Sequence, residues 1–376
     1  MNQRVLIEKN YLRIPIRKDA VEKNVWLYQE LTAVLQFQAG LFVDYGSGAP
    51  DFYAELPVER WKGSVLTLVH EEDRPVPFLQ SDELLPNTEP FQPWIHFAPK
   101  SGWMNDVCGA CWYQGSYHLY FQHNPFGVQW NNMSWRQTQS LVIPEAWECP
   151  DLVRLRVQST GEEKWLFWTP DGFYLVGEFD GMQFTATQPG RRFYGSEKVY
   201  AAQTVANLDG RVLQIPFLRG HTQPYYNHRG LMGAPREMQL QKDGGEYVLS
   251  EPLCRELQQQ KIPLWRRTVQ KEPMEFCWEE DGAMLLQLTF SEDTSFALWI
   301  CGERIEWDAE KKKLAFTFMN RLDILEIRNM TILADRGVLE IAVNEDTACY
   351  YVPGNGELVK SIELSGEMEV ELFLIR

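Results

Sequence analysis

The chain reads as an all-β protein in three blocks, and three observations carry that reading. Short apolar stretches bounded by Gly, Pro, Asn and Asp run through most of the length, while helical periodicity is scarce. Asp-Gly pairs at 171–172, 180–181, 209–210 and 243–244 fall between apolar runs, as hairpin turns do. Residues 262–376 alternate apolar and polar side chains well enough to build a two-sheet sandwich.

The blocks follow in order. Residues 1–85 are strand-rich, with candidate strands at 11–16, 33–42 and 64–70, and they end in a polar, proline-bearing stretch, 80–93, that resembles a linker. Residues 86–258 contain candidate strands at 117–122, 164–169 and 173–179, and their Asp-Gly recurrence fits stacked antiparallel hairpins such as propeller blades. One helix is predicted near 250–260, where Leu253 and Leu257 sit four apart. The last block, 262–376, has candidate strands at 284–290, 295–300, 314–318, 322–328, 331–334, 339–343 and 369–375. No helical crossovers recur, which disfavours a parallel α/β sheet.

Bulk properties narrow the function classes. At 376 residues, two or three domains are expected. A net charge of −16 argues against a nucleic-acid or anionic-membrane partner and suits a neutral ligand better than a polyphosphorylated one. Seven cysteines at irregular spacing do not suggest a disulfide framework. Cys108 and Cys111 form a Cys-x-x-Cys pair, but without a second pair nearby they do not suggest a zinc site. The first residues show no apolar signal segment, and no apolar run reaches the ~18 residues of a membrane span. A cytoplasmic protein without metal or other cofactor is the expectation.

Two carboxylates in unusual settings suggest chemistry. Asp106 closes Gly102-Trp103-Met104-Asn105-Asp106, and Glu148 lies in Trp147-Glu148-Cys149-Pro150-Asp151. Two carboxyl groups about 5 Å apart across a sugar ring cleave a glycosidic bond with retention, one as nucleophile and one as acid/base. Asn105 is placed to donate a hydrogen bond to its neighbour, and the aromatic wall of Trp147 would keep Glu148 protonated near neutral pH, as a general acid requires. Taken singly, each has a plainer reading: Asn105-Asp106 as a turn opening the next hairpin, and Glu148 as a loop glutamate.

The combination is more specific. The run from His96 to Asp106, then Tyr117 to Pro125, Trp130 to Trp135 and Trp147 to Asp151, resembles the β-fructofuranosidase family of glycoside hydrolases (invertases, levanases, inulinases). Tyr200-Ala201-Ala202-Gln203-Thr204, Pro235-Arg236-Glu237, and 332–344 are similar to its later blades and its C-terminal sandwich. The resemblance implies a five-bladed β-propeller followed by a β-sandwich, with residues 1–85 as an extra β domain. It implies Asp106 as nucleophile and Glu148 as acid/base, with Asn105, Gln122 and Trp130 contacting a fructosyl unit and Trp103 beside them. Sucrose or fructo-oligosaccharides are the implied substrates.

Against that pattern the chain is short between its two carboxylate motifs. No Arg-Asp-Pro, the family's third acidic motif, occurs in it, and Val107-Cys108 stand where Pro-Asn usually follow. Residues 94–258 suffice for about three to four blades of ~40–50 residues each. An incomplete or shortened propeller is therefore expected, whose exposed sheet edges would favour a homo-oligomer. A third carboxylate would have to come from elsewhere, such as Asp151, Asp171 or a partner chain. Three function classes follow: a retaining β-fructosidase, a catalytically degenerate fructan-binding protein using Trp103, Trp130 and Gln122, or a structural protein.

Overall fold

The computed structural model describes residues 1–43, 48–86, 93–113, 116–132, 149–181, 183–196, 198–206, 208–219, 228–290, 294–317, 322–323, 326–336, 338–353 and 360–376, the side chains of 107–113, 116–120, 322–323 and 352–353 excepted. Glu148, with Trp135 and Trp147, lies outside the described residues. Strand is the dominant element, and among the described residues one short α-helix occurs, Arg255–Gln259, inside the predicted 250–260 window.

Residues 1–86 form two small antiparallel sheets. One orders the strands Asn2–Leu6, Val65–His70, Lys23–Gln29 and Thr32–Ala39; the other orders Phe52–Pro57, Tyr11–Ile16 and Leu79–Ser81. Period-two alternation explains the packing: Leu66, Leu68 and His70 point inward along one strand, and Val25 and Leu27 along its neighbour. Their shared core of Ile7, Leu12, Ile14, Leu27 and Leu68 also takes in Phe126, from the middle region.

The middle region is a shortened propeller. A four-strand meander runs through Asp151–Arg156, Glu163–Trp168, Phe173–Phe179 and Phe184–Ala186. A second sheet pairs Val199–Ala206 with Leu213–Leu218, which in turn pairs with Leu231–Met232 and Arg236–Glu237. The hairpin of Gly102–Tyr113 and Ser116–Asn124 joins this second sheet instead of opening a separate one. Its first strand runs parallel to Val199–Ala206 at one end and to His228–Arg229 at the other. A two-strand ribbon, Gln239–Asp243 with Glu246–Ser250, completes the region. All four Asp-Gly pairs lie between consecutive antiparallel strands, and Gly172, Gly181, Gly210 and Gly244 all have positive φ. The meander packs Trp168, Tyr174 and Val176 against Phe193 and Tyr194.

Residues 261–376 form the predicted sandwich. One six-strand sheet orders Lys261–Val269, Met368–Ile375, Ala283–Thr289, Asn329–Asp335, Val338–Val343 and Ala348–Pro353. The facing sheet orders Met274–Cys277, Ser361–Ser365, Phe296–Ile300, Glu303–Asp308, Lys313–Phe316 and Leu322–Asp323. Leu286, Leu298, Ile305, Trp307, Ile332 and Leu372 fill the space between them.

A buried ionic cluster joins the middle region to this sandwich. The ring nitrogens of His96 face Asp335 Oδ2 at 2.9 Å and Glu340 Oε1 at 2.7 Å. Arg236 Nη2 donates to Glu340 Oε2 at 2.6 Å, and its Nη1 donates to the Glu251 carbonyl at 2.9 Å. The backbone amides of Trp94 and Ile95 donate to Asp335. Burial alone would lower His96, but its bonds to the two carboxylates outweigh that and hold it at about 9. Burial works to raise Glu340, yet Arg236 and His96 bring it down to about 2. The imidazole is thus a cation clamped between two anions.

Candidate active site

Asp106 does not sit in a turn. It lies inside the strand Gly102–Tyr113, at a β-bulge: Met104 pairs with His123 and Val107 with Phe121, so one extra residue is accommodated across Asn105 and Asp106. Bulges re-aim side chains and recur beside active sites. Gly102, just before, has φ +86°, and a Cβ there would collide with the Asn124 carbonyl oxygen; only glycine lets the two strands close at this point.

The bulge gathers three of the sequence-predicted residues. Asn105 Nδ2 donates to Asp106 Oδ2 at 3.0 Å and to Gln122 Oε1 at 2.8 Å. Asp106 is 6% exposed. From the motif that holds Glu148, Cys149 comes to the same carboxylate, its thiol donating to Asp106 Oδ2 at 3.6 Å. Cys149 has φ +44°, a left-handed conformation that is costly for a residue with a Cβ. The segment after Glu148 is therefore bent back onto Asp106.

A second bulge meets it. The strand Val199–Ala206 shifts register between Tyr200 and Gln203, with Ala201 at φ +43° and its amide bonded to the Pro170 carbonyl at 2.7 Å. Tyr200, Ala201 and Phe217 pack together with Cys149 against them, and the Arg219 guanidinium lies 4.1 Å from the Tyr200 ring centroid. Sequence reasoning had matched Tyr200 to the family without giving it a role at the site. Its signal was the Tyr-Ala-Ala run, whose small residues permit the bulge.

The two other sequence-predicted residues stand differently. The Trp103 ring faces the Arg229 guanidinium, 5.0 Å from its centroid. Trp130 is 61% exposed on the segment that follows the strand Ser116–Asn124. Both proposed replacement carboxylates already hold structural hydrogen bonds. Asp151 accepts the backbone amides of Leu152 and Thr204 at 2.8 Å each. Asp171 accepts the Thr169 hydroxyl at 2.7 Å and Arg192 at 2.9 Å. Among the described residues, no group of three or more His, Cys, Asp or Glu side chains is placed to hold a metal ion.

Residues 96–142 and 144–252 match the glycosyl hydrolases family 32 N-terminal domain. The extracellular exo-inulinase of Aspergillus niger is 44% identical over 52 residues, 14% of this chain and 10% of that protein. The chain thus aligns with only about a tenth of the length of such curated relatives. In structure, the exo-inulinase of Aspergillus awamori superposes with a TM-score of 0.65 at 15% identity, covering 78% of this chain and 99% of that one. The fructofuranosidase of Schwanniomyces occidentalis, complexed with fructosylnystose, gives 0.62 at 14% identity, with the same shares. At that identity the likeness concerns the fold: propeller plus β-sandwich. The likeness to glycosyl hydrolase family 32 thus resides in the central region, residues 96–252.

Proposed function

We propose that the chain carries a fructoside site of the retaining β-fructosidase type, acting on sucrose or a fructan, with Asp106 as nucleophile and Glu148 as acid/base. The observation that carries the reading is the setting of Asp106. It is buried at a bulge, oriented by Asn105, linked through Asn105 to Gln122, and touched by the residue next to Glu148. A carboxylate nucleophile needs such a rigid mount.

The reaction follows from those roles. Glu148 gives its proton to the glycosidic oxygen as that C–O bond breaks, while an Asp106 oxygen bonds to the anomeric carbon. The leaving alcohol departs and a fructosyl ester remains. Water then attacks the same carbon, Glu148 takes its proton, and Asp106 leaves as a carboxylate with fructose released.

A second reading, binding without turnover, is favoured by a specific observation. Asp151 and Asp171 are both committed to structural hydrogen bonds, and no Arg-Asp-Pro occurs in the sequence. Losing one preorganised transition-state contact costs about 2.7–4 kcal/mol, or roughly 10²–10³ in rate. One experiment separates the readings. Fructose release from sucrose, inulin and levan is measured for the native chain, Asp106→Asn and Glu148→Gln, alongside calorimetry with the same sugars. Release abolished by both substitutions supports the enzyme; heat without release supports the binding protein; neither removes both. A cytoplasmic location and self-association through sheet edges complete the proposal. Cell fractionation and light scattering test them.

A further inference from the structure

We propose that the N-terminal β unit is a working wall of the fructoside site, with Glu22 and Gln38 as positioning residues that set the loop bearing Trp130. This rests on the fructoside reading above together with the sugar contact that the family resemblance implies for Trp130.

The loop leaves the strand that carries Gln122 and crosses directly to the N-terminal unit. Phe126 stacks on Phe37, ring centroids 3.9 Å apart and planes 15° apart, and is buried in the N-terminal core with Val128 packed alongside. Between them, Gly127 passes so close to the Glu22 carboxylate that a Cβ would collide with it. Beyond Trp130 the chain is gripped again. Asn131 Nδ2 donates to Glu22 Oε2 at 2.8 Å and to Gln38 Oε1 at 2.6 Å. Asn132, at φ +56°, uses its amide side chain as a strand would: its oxygen accepts the Gln38 backbone amide at 2.7 Å and its nitrogen donates to the Gln38 carbonyl at 3.0 Å. That side chain therefore pairs with the outer strand, Thr32–Ala39, of the four-strand sheet.

Inside the loop, fully buried Asn124 holds the two ends together. It donates to the Gln129 carbonyl at 3.0 Å, and its oxygen accepts the Phe126 amide at 3.0 Å and Asn132 Nδ2 at 2.8 Å. Trp130 is thus the exposed tip of a segment fixed on both sides, and Glu22, Phe37 and Gln38, which grip it from the N-terminal unit, lie outside the family 32 match. An exposed indole is a useful sugar platform only if its orientation is paid before binding.

The test compares the native chain, the double variant Glu22→Ala/Gln38→Ala, and the conservative Glu22→Gln, which keeps an acceptor for Asn131. Amide hydrogen exchange over 125–132 and affinity for a short fructo-oligosaccharide are read together, with melting temperature as the control. The double variant is expected to exchange about tenfold faster there and bind the sugar about tenfold more weakly, since both side-chain acceptors of the Asn131 amide are lost. Its melting temperature should fall by no more than a few degrees, and Glu22→Gln should keep both readouts near the native values. Unchanged exchange overturns the clamp. Faster exchange with unaltered sugar affinity overturns its role at the site. A native chain that binds no fructoside overturns the reading on which the role rests, while the exchange comparison still decides the clamp.

Discussion

Replacing His96 with alanine tests whether the sandwich and the shortened propeller are held as one body by charge. The substitution removes two charge-assisted hydrogen bonds, at 2.9 and 2.7 Å, from carboxylates that have no access to solvent. Breaking a buried ion pair costs about 3–5 kcal/mol, because the surviving charge is left desolvated. Here Arg236 still serves Glu340, while Asp335 keeps only backbone donors, so the expected loss is about 3 kcal/mol at neutral pH. The pH dependence sharpens the test. The folded chain holds His96 at about 9 against 6.5 when unfolded. A raised cation gives stability that is complete below the unfolded value and is lost as pH rises through the folded one. At 1.36 kcal/mol per pK unit the ceiling is again about 3 kcal/mol, and it describes the same contacts, so the two figures are not added. Urea unfolding followed by tryptophan fluorescence should show the gap between native and His96→Ala closing between about pH 6.5 and 9. A gap below 1 kcal/mol at neutral pH, or one independent of pH up to about 10, would refute the reasoning.

Gly102→Ala should destabilise the chain by about 1–3 kcal/mol, because φ +86° is strained for alanine and the new Cβ meets the Asn124 carbonyl. Thermal melting checks the cost, and sugar affinity should fall with it as the Asp106 bulge shifts. Glu251 is buried, which pushes it up to about 8 despite Arg236 and Tyr194. It therefore stays protonated in the fold while the unfolded chain ionises near 4.5, and stability falls as pH rises through that interval. Glu251→Gln removes that loss, so its melting temperature should exceed the native value at pH about 8 and match it below about 4.5. Equal pH profiles for the two proteins would contradict this.

The parts of the fold legible in the sequence were those written locally. Each Asp-Gly pair announced a hairpin, and the inward-outward alternation of 368–375 announced the sandwich, whereas 338–343 is buried along its whole length. The strand Lys261–Val269 is not among the candidate strands, because its Lys, Pro and paired Arg residues interrupt any apolar run. It lies at the border of its sheet, where one edge is free of ladder partners among the described strands. At the site, Asn105, Asp106 and Gln122 were found by motif, but their mounting was not. Asn-Asp favours turns by propensity, and only pairing with distant strands on both sides keeps these two residues in a bulged ladder. The His96 cluster was invisible for a related reason: its carboxylates come from 239 and 244 positions away, and no local pattern encodes a charge destined for burial.

The two parallel pairings of Gly102–Tyr113 also set a timetable for the chain as it is made. The strand bearing Asp106 has its hairpin partner at once, but its lateral neighbours at 205–206 and 228–229 emerge about a hundred residues later. His96, just upstream, waits longer still for Asp335 and Glu340. Contacts of such long sequence separation make folding slow, and unpaired strand edges are exposed to wrong partners meanwhile. A ribosome-bound fragment ending before residue 200 would present the Asp106 hairpin without the neighbours that hold it, a natural client for chaperones rather than an early-formed catalytic half.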